Sequence, residues 1–413
     1  MSGIFGFFNN EDIEAIRYLQ YGLYGVQHRG QAEVGIATID NDRINYLVGE
    51  GLVGENFSNK VLRKFNGNKA MGYVKYAFRF EEENPMPFIS KKNGMSSLMV
   101  IDGKIISNIS YEKLREKIQG NKEELKKYLS NIKGAFSLGY MDNEKIVAIR
   151  DPYGVKPLSV GVNDSGYVIS SETCAIDSIG YKLLKDLEPG EIFIGTNSDY
   201  EFIKYSNEES KLCLFEMVYI ARPDSYIDGV SVYRARYNSG QVLYEENKTE
   251  ADIVVGAPDS GIIAALGYSY ASKIPYMEGI VKNRYIGRTF IESDQENREK
   301  SVNIKLNPII ENVKDKDIIL VDDSIVRGTT TKRLIKMLKD SGARKVHLRI
   351  ASPPVVNKDD LSIDIPSEEN LISRSKSFEE VAREIQADSL YHLSLQGLRD
   401  CCGNKGYYEK YFA

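Results

Sequence analysis

The stretch Ile318-Ile319-Leu320-Val321-Asp322-Asp323-Ser324-Ile325-Val326-Arg327-Gly328-Thr329-Thr330 decides how the second half of the chain folds. Its leading apolar residues are typical of a buried strand, and the small residues after the two carboxylates predict a turn that opens a helix. Ligands of open parallel sheets bind where the strands end, beside helix N-termini. Free backbone N–H groups and the helix dipole favour a phosphate at such a place. The stretch therefore predicts a phosphate site at the carboxyl end of a strand.

The side chains of this stretch divide into two kinds. Gly328 permits close backbone approach, and Thr329 and Thr330 supply hydroxyl donors. Asp322 and Asp323 are unsuited to holding phosphate directly, but they suit ribose hydroxyls or a magnesium ion. The competing interpretation is an ordinary strand-to-helix turn that carries capping residues.

Strand and helix patterns alternate around this stretch from about residue 252 onward. The candidate strands are 253–256, 318–321 and 346–350, and the candidate helices are 262–270 and 330–341. Such alternation predicts a doubly wound, mostly parallel sheet with helices on both faces. The polar residues 359–376 are expected to loop over the surface.

The first half of the chain has a different sequence pattern, with short apolar runs bounded by Gly, Asn and Asp. These runs predict strands and hairpins, and residues 11–23 have the apolar spacing of a helix. The candidate strands are 35–39, 97–101, 135–140 and 145–149. A length of 413 residues suits two domains. We place them at 1–206, an α+β domain, and 207–413, an α/β domain.

Composition excludes several classes of protein. Hydrophobic residues make up 42% and charged residues 27%, which is ordinary for a globular protein. No apolar run reaches the roughly 18 residues that span a bilayer, and the first residues lack the features of a secretory signal. Four cysteines without paired spacing predict reduced thiols and a cytoplasmic location. A net charge of −5 argues against nucleic acid as the main ligand.

The 318–330 stretch resembles the motif with which type I phosphoribosyltransferases bind 5-phosphoribosyl-1-pyrophosphate (PRPP). The resemblance extends over nearly the whole chain, to the glutamine PRPP amidotransferase family. The segments that carry it are Gln27-His28-Arg29-Gly30-Gln31, 150–158, 171–177, Phe215-Glu216, 219–225, Gly256-Ala257-Pro258-Asp259-Ser260, 281–290 and Lys305-Leu306-Asn307.

The resemblance implies a role for each polar residue of the second half. Asp322 and Asp323 would contact the ribose hydroxyls and the magnesium ion, and residues 324–330 would wrap the 5-phosphate. Asp259 and Ser260 would lie on the pyrophosphate loop, and the stretch around Gly287 would close over the substrate. The predicted catalytic residues are Asp322, Asp323, Lys305 and Arg284. The predicted PRPP-binding residues are Asp259, Ser260, Lys282, Arg288, Ser324, Arg327, Gly328, Thr329 and Thr330.

The positively charged side chains among these residues suit the binding of a pyrophosphate group. Lys282, Arg284, Arg288 and Lys305 concentrate positive charge where the leaving pyrophosphate must be neutralised. The competing interpretation is a solvated charged face.

In this family the first half is an Ntn-hydrolase αββα glutaminase whose nucleophile is a cysteine freed by removal of Met. Here that position is Ser2, and Asp102-Gly103 stands where the family has the Asn-Gly that donates to the oxyanion. Lys75 stands where an arginine would clamp the glutamine carboxylate, and it loses the bidentate fork. The acidic segment that recognises the glutamine amine has no counterpart between Asn108 and residue 134. Because four elements of one site have changed together, we expect the glutaminase to be inactive; the alternative is an altered amidase that uses Ser2.

His28 and the cysteines are the remaining candidates for a functional role. His28 is expected to be structural, because Ntn chemistry uses a free α-amine as its base. Some members of the family carry an iron–sulfur cluster, which needs four thiolates. Cys213 lies where one ligand could be, but Cys401 and Cys402 are adjacent, so we predict no cluster.

These observations predict a magnesium-dependent transfer of the phosphoribosyl group from PRPP to ammonia, another amine or a small acceptor, with release of pyrophosphate. The nucleophile would come from solution or from an ammonia-supplying partner protein, and a homo-oligomer is expected. The alternative is a nucleotide-sensing pseudoenzyme or a regulatory partner of a true amidotransferase. No nucleic acid and no membrane is expected as a partner.

Overall fold

The structure is a computed structural model that describes residues 2–11, 13–41, 43–76, 86–92, 95–283, 306–359, 361–363, 365 and 367–412. Within these residues, no helix combines the length and the apolar character needed to cross a membrane.

Two antiparallel sheets form the first half. Their strands are β1 (Ser2–Asn9), β2 (Glu33–Asp40), β3 (Arg43–Glu50), β4 (Lys69–Lys75), β5 (Phe88–Lys92), β6 (Met95–Ile105), β7 (Gly134–Met141), β8 (Lys145–Arg150), β9 (Ser159–Asn163), β10 (Gly166–Ser170), β11 (Lys182–Asp186), β12 (Glu191–Thr196) and β13 (Tyr200–Lys204). One sheet has the order β11-β9-β10-β1-β4-β2-β3, and the other has the order β13-β12-β8-β7-β6-β5.

Helices cover the outer faces of both sheets. They are α1 (Ala15–Val26), α2 (Val53–Asn56), α3 (Asn59–Leu62), α4 (Tyr111–Gln119), α5 (Lys122–Leu129) and α6 (Thr173–Ser178). Alternate residues of β1 serve different cores: Phe8 packs between the sheets, and Phe7 packs under α1. A third core joins α4 and α5 to the second sheet. The first half is therefore the four-layer αββα arrangement that was expected.

One sequence prediction for a helix needs correction. The helix predicted over 11–23 begins at Ala15 and ends at Val26, because the Asn9 side chain accepts from the Glu11 N–H at 2.7 Å and forms a turn before it. The charged residues 112–129 lie in two helices, α4 and α5. Asn121 caps the second of them through the Glu123 N–H.

A parallel sheet with the order β17-β20-β21-β22 forms the centre of the second half. The strands of this half are β14 (Leu212–Cys213), β15 (Tyr226–Ile227), β16 (Val230–Ser231), β17 (Ile253–Gly256), β18 (Ile280–Lys282), β19 (Leu306–Pro308), β20 (Asp317–Asp322), β21 (Lys345–Ile350), β22 (Ser389–His392) and β23 (Tyr407–Tyr408). The helices are α7 (Val232–Glu246), α8 (Ile262–Ser272), α9 (Ile310–Val313), α10 (Thr329–Asp340), α11 (Phe378–Ile385) and α12 (Leu395–Cys401), and Glu216–Ile220 is a π-helical turn.

Helices lie on both faces of this sheet, as the sequence predicted. Ile319 and Val321 of β20 face the core that contains α7 and α8, whereas Ile318 and Leu320 face α10 and α11. β20 is therefore covered on both sides, which explains its continuous apolar run.

The segment 359–376 differs from its prediction as a surface loop. Asp359, Ile363, Ile365, Leu371 and Ile372 are buried within it. The polar composition is accounted for by the Asp359 carboxylate, which accepts hydrogen bonds from the Ser362 and Ile363 N–H groups at 2.9 and 2.7 Å. This segment forms one wall of the site described next.

Candidate active site

The paired carboxylates lie at the carboxyl end of β20, where the sheet opens. β20 pairs with β17 so that Val321 is opposite Gly256, and the chain after β17 turns immediately beneath it. A Cβ atom on Gly261 would lie 2.3 Å from the Val321 carbonyl oxygen, so only glycine allows this approach. The two strand ends therefore bring Ser260 against Asp323, with 3.2 Å between Ser260 Oγ and Asp323 Oδ1.

Asp322 and Asp323 are both buried. The Asp323 N–H donates to Asp322 Oδ1 at 2.9 Å. Burial raises the pKa of Asp322 well above its usual range, and repulsion from Asp323 adds to the rise. Burial also raises the pKa of Asp323, although the buried Arg236 opposes this. Two carboxylates whose charge is so poorly compensated fit a divalent cation.

Magnesium usually takes one or two carboxylates together with substrate phosphates and water. Asp322 and Asp323 supply such a pair, and the described residues contain no group of three or more ligating side chains that would hold a metal alone. A bound magnesium ion would neutralise charge on the pyrophosphate of PRPP. The residues present thus fit a metal that arrives with its substrate.

The turn after the carboxylates forms a cradle at the start of α10. Gly328 has φ +75°, and no side chain caps the first turn of this 12-residue helix. The backbone N–H groups at the helix start thus have no side-chain partner, which is the arrangement that accepts phosphate. Residues 324–331 line a cavity of about 730 Å³ together with Asp322, Asp323 and Ser260.

Only some of the residues predicted to bind the pyrophosphate of PRPP lie in the described part of the chain. Asp259 and Lys282 form an ion pair beside the cavity, with one third of the Lys282 side chain exposed. Arg284, Arg288 and Lys305, together with Gly287, lie outside the described residues. Their predicted roles stay predictions.

One part of the cavity lining, named here the apolar wall, was not predicted from the sequence. It is apolar and aromatic, and it consists of Tyr76, Phe215, Tyr219, Ile220, Ile363 and Ile365. Tyr76 belongs to the first half of the chain and follows Lys75 directly. Phe215 and Tyr219 belong to segments that carried the family resemblance, but their apolar character gave no sign of a site.

Arg236 was also missed. It is buried behind the carboxylate pair, where it lines a small enclosed space with Ser260 and Asp323. Its guanidinium donates to the carbonyls of Met217 and Ala221, both at 2.8 Å. An arginine in the middle of an amphipathic helix reads from sequence as a surface residue, so no local signal separated it from the others.

The predicted glutaminase residues come together at a second place, in the first half. Ser2 is the register partner of Lys75 between β1 and β4. The Ser2 N–H donates to Asp102 Oδ1 at 3.0 Å. Gly103 follows with φ +103°, and a Cβ there would lie 2.1 Å from the Ala135 carbonyl oxygen. The structure thus assembles Ser2, Lys75, Asp102 and Gly103 in one cluster.

Arg29 organises this cluster, and the sequence reasoning gave it no role. Its buried guanidinium contacts three buried carboxylates: Glu172 at 2.7 Å, Glu216 at 2.8 Å and Asp102 at 3.2 Å. Burial lowers its pKa, but the carboxylates outweigh this and hold it well above the usual range. Because Glu216 starts the turn that carries Tyr219 and Ile220, the cluster links Ser2 to the apolar wall of the cavity.

His28 contacts the same cluster, and its structural role stays a prediction. Its Nε2 lies 2.7 Å from Glu172 Oε1. Burial raises the pKa of Glu172, but His28 and Arg29 outweigh it and hold the pKa well below the usual range.

Cys213 is buried at the start of the apolar wall. Its Sγ lies 3.4 Å from Ser362 Oγ and 3.4 Å from the Tyr411 hydroxyl. Burial raises the pKa of this thiol. The absence of an iron–sulfur cluster stays a prediction.

Two family profiles match the chain. The glutamine amidotransferase domain matches residues 102–178, and the phosphoribosyl transferase domain matches residues 238–352. The domain boundary at residue 206 lies between these matches and stays a prediction.

Relatives align along nearly the whole chain. The amidophosphoribosyltransferase of Archaeoglobus fulgidus is 40% identical, over 98% of this chain and 96% of the relative. The amidophosphoribosyltransferase of Bacillus subtilis is 39% identical, over 98% of this chain and 90% of the relative.

A solved structure has the same fold in both halves. The glutamine PRPP amidotransferase of B. subtilis, complexed with ADP and GMP, superposes with a TM-score of 0.90 at 38% identity, and the match covers 100% of this chain and 96% of that one. The chain is therefore a phosphoribosyltransferase that uses PRPP, with an Ntn-type glutamine amidotransferase domain before a type I phosphoribosyltransferase domain, and it belongs to the amidophosphoribosyltransferase family.

Proposed function

We propose that this enzyme forms phosphoribosylamine from PRPP and ammonia, and that its first domain no longer hydrolyses glutamine. The observation that carries the proposal is the state of Asp102. Both of its carboxylate oxygens accept hydrogen bonds, one from the Ser2 N–H and the other from Arg29. With both oxygens accepting, Asp102 offers no N–H donor, so it cannot stabilise a developing oxyanion as an amide can.

The charges around Asp102 support the same conclusion. One guanidinium, that of Arg29, faces the carboxylates of Asp102, Glu172 and Glu216. If Met1 is removed, as the resemblance implies, the Ser2 nitrogen becomes an α-amine that has Asp102 as its hydrogen-bond partner. A carboxylate at this position engages the nitrogen that Ntn chemistry requires as its general base.

The retained first domain still contributes to the transferase. Tyr76 lines the cavity that holds Asp322 and Asp323. The domain therefore has a structural use without a glutaminase, because it completes the wall that separates the reacting carbon from water. Ammonia would reach the site from solution or from a partner protein that supplies it.

Arg284 and Lys305 complete the proposal as the cations that neutralise the leaving pyrophosphate, and Arg288 and Lys282 are assigned to PRPP binding. Asp322 and Asp323 hold the ribose hydroxyls and the magnesium ion, and Ser324, Arg327, Gly328, Thr329 and Thr330 surround the 5-phosphate. No observation favours the nucleotide-sensing pseudoenzyme over this assignment.

The test compares two nitrogen sources in one assay. Purified enzyme with PRPP and magnesium receives either glutamine or an ammonium salt at alkaline pH, and pyrophosphate and glutamate are both measured. We expect ammonium to support pyrophosphate release and glutamine to yield no glutamate, with an active amidophosphoribosyltransferase as the positive control. Glutamate release that matches PRPP consumption would show that Ser2 is a working nucleophile.

A further inference from the structure

The apolar wall of the cavity is carried by two segments with little regular structure. Phe215 lies between β14 and the π-helical turn, and Ile363 and Ile365 lie in the segment that was predicted to be a surface loop. Backbone of this kind is held in place by its side-chain contacts. The contacts come from the last residues of the chain, Tyr408, Tyr411 and Phe412, which we name the C-terminal clamp.

Tyr411 fixes the first segment. Its buried hydroxyl accepts a hydrogen bond from the Phe215 N–H at 2.9 Å and donates to the Tyr408 carbonyl at 2.9 Å. The Tyr411 ring also packs edge-on against the Phe215 ring, with centroids 5.0 Å apart. The Phe412 ring stacks on the Phe215 ring, with centroids 5.4 Å apart. Phe215 is thus held by its backbone and by both aromatic neighbours.

Tyr408 fixes the second segment. Its hydroxyl donates to Asp359 Oδ1 at 2.7 Å. The other oxygen of Asp359 accepts from the Ser362 hydroxyl at 2.7 Å and from the Ile363 N–H at 2.7 Å. The Tyr411 carbonyl accepts from the Val356 N–H at 2.9 Å. This bond ties the C-terminal clamp to the chain just before the segment 359–376.

We propose that Tyr408 and Tyr411 are positioning residues that set the apolar wall of the phosphoribosyl site and thereby decide how much PRPP is lost to water. This inference rests on the proposed function for its amine acceptor. In the productive reaction the bond between C1 of the ribose and the pyrophosphate oxygen breaks, and the pyrophosphate leaves with the electron pair. The ammonia lone pair forms the new C1–N bond, and a proton is released to solvent.

Water in place of ammonia gives ribose 5-phosphate and pyrophosphate by the same bond changes. An apolar wall disfavours ordered water near C1, whereas the polar side of the cavity is formed by the carboxylates and the phosphate cradle. Displacement of the wall should therefore raise hydrolysis more than it changes PRPP binding.

Tyr411→Phe is the informative variant, because it keeps the ring and removes only the hydroxyl. The buried Phe215 N–H then has no partner, and such a loss shifts an equilibrium by about fivefold for a typical hydrogen bond. Tyr408→Phe tests the second anchor. Tyr407→Phe is the matched control, because it also removes one hydroxyl from β23, but this hydroxyl donates to the Cys402 carbonyl and not to a residue of the wall segments.

The measurement is pyrophosphate release with PRPP and magnesium, with and without an ammonium salt, together with the KM for PRPP. For Tyr411→Phe we expect ammonia-independent release to rise roughly fivefold, with a KM for PRPP that changes less than about twofold and with no change for Tyr407→Phe. An unchanged rate of hydrolysis in Tyr411→Phe, or an equal rise in Tyr407→Phe, would overturn the proposal. Hydrolysis of PRPP is measured without an amine, so it tests the clamp alone. A failure of the proposed function would be seen separately, as the absence of an ammonia-dependent product in the unmodified enzyme.

Discussion

Three aspartates at the residue scale show how surroundings decide the role of one side chain. Asp102 is compensated by Arg29 and by the Ser2 N–H. Asp322 and Asp323 have no ion pair with any described residue. Hydrogen bonds from Ser260 and from the Asp323 N–H, together with the charge of Arg236, offset their charge only in part. Asp102 is thus held by groups of the protein, whereas Asp322 and Asp323 are suited to a cation that comes with the substrate.

This difference leads to a pH prediction. Because the pKa values of Asp322 and Asp323 are raised, both stay partly protonated to a higher pH than an ordinary aspartate, and protons compete with magnesium. We expect the KM for PRPP at limiting magnesium to rise as the pH falls, and this rise to begin at a higher pH than the titration of an ordinary aspartate would give. At saturating magnesium the rise should shrink, since the metal keeps the carboxylates ionised. A pH profile that is the same at both magnesium concentrations would argue against metal binding by this pair.

At the element scale, the turn before α10 and the segment 359–376 line the same cavity and also touch each other. A Cβ on Gly328 would lie 2.6 Å from Ile372 Cδ1. The glycine therefore serves the left-handed turn that starts α10 and the packing of this turn against the buried segment.

Gly328→Ala tests this double constraint. We expect a loss of stability of about 1–2 kcal/mol from the left-handed backbone, together with a several-fold rise in the KM for PRPP because the cradle is displaced. Gly180→Ala is the matched control: Gly180 has φ +76°, nearly the same as Gly328, but a Cβ there has nothing within 4 Å. Thermal unfolding and PRPP kinetics of both variants would be compared. Equal kinetic effects would mean that backbone strain alone, and not the cradle, accounts for the change.

At the scale of the whole molecule, the two domains share structure through Arg29 and Glu216 and through Tyr76. The salt bridge of Arg29 to Glu216 joins the Ser2 cluster to the second half of the chain, and Tyr76 contributes to the transferase cavity. The first domain thus contributes to the transferase cavity through Tyr76, independently of its own chemistry.

Restoring the nucleophile should therefore not restore the glutaminase. We expect neither Ser2→Cys nor Ser2→Cys with Asp102→Asn to release glutamate from glutamine, with or without PRPP. The double variant regains an oxyanion donor, but Lys75 still lacks the fork that clamps a carboxylate, and no acidic segment holds the substrate amine. Both variants should retain ammonia-dependent pyrophosphate release, which serves as the control for folding. Glutamate release by the double variant would mean that the substrate pocket is intact and that only two residues separate this chain from an active glutaminase.

The sequence by itself determined the features that depend on neighbouring residues. The strand, the carboxylate pair and the helix of 318–340 follow from local periodicity and turn chemistry, and β17, β20 and β21 were predicted within a residue or two of their bounds. The phosphate cradle was predictable for the same reason, because Asp322 through Thr330 are contiguous.

Only the tertiary structure decided the features that join distant residues. Arg29 meets carboxylates from positions 102, 172 and 216, and the C-terminal clamp reaches Phe215 from position 411. The apolar wall and the burial of the polar segment 359–376 arise in the same way. Arg236, Asp359 and Tyr411 look like surface residues in the sequence, because their side chains are polar. They can be buried because the fold brings them hydrogen-bond partners that are distant in sequence.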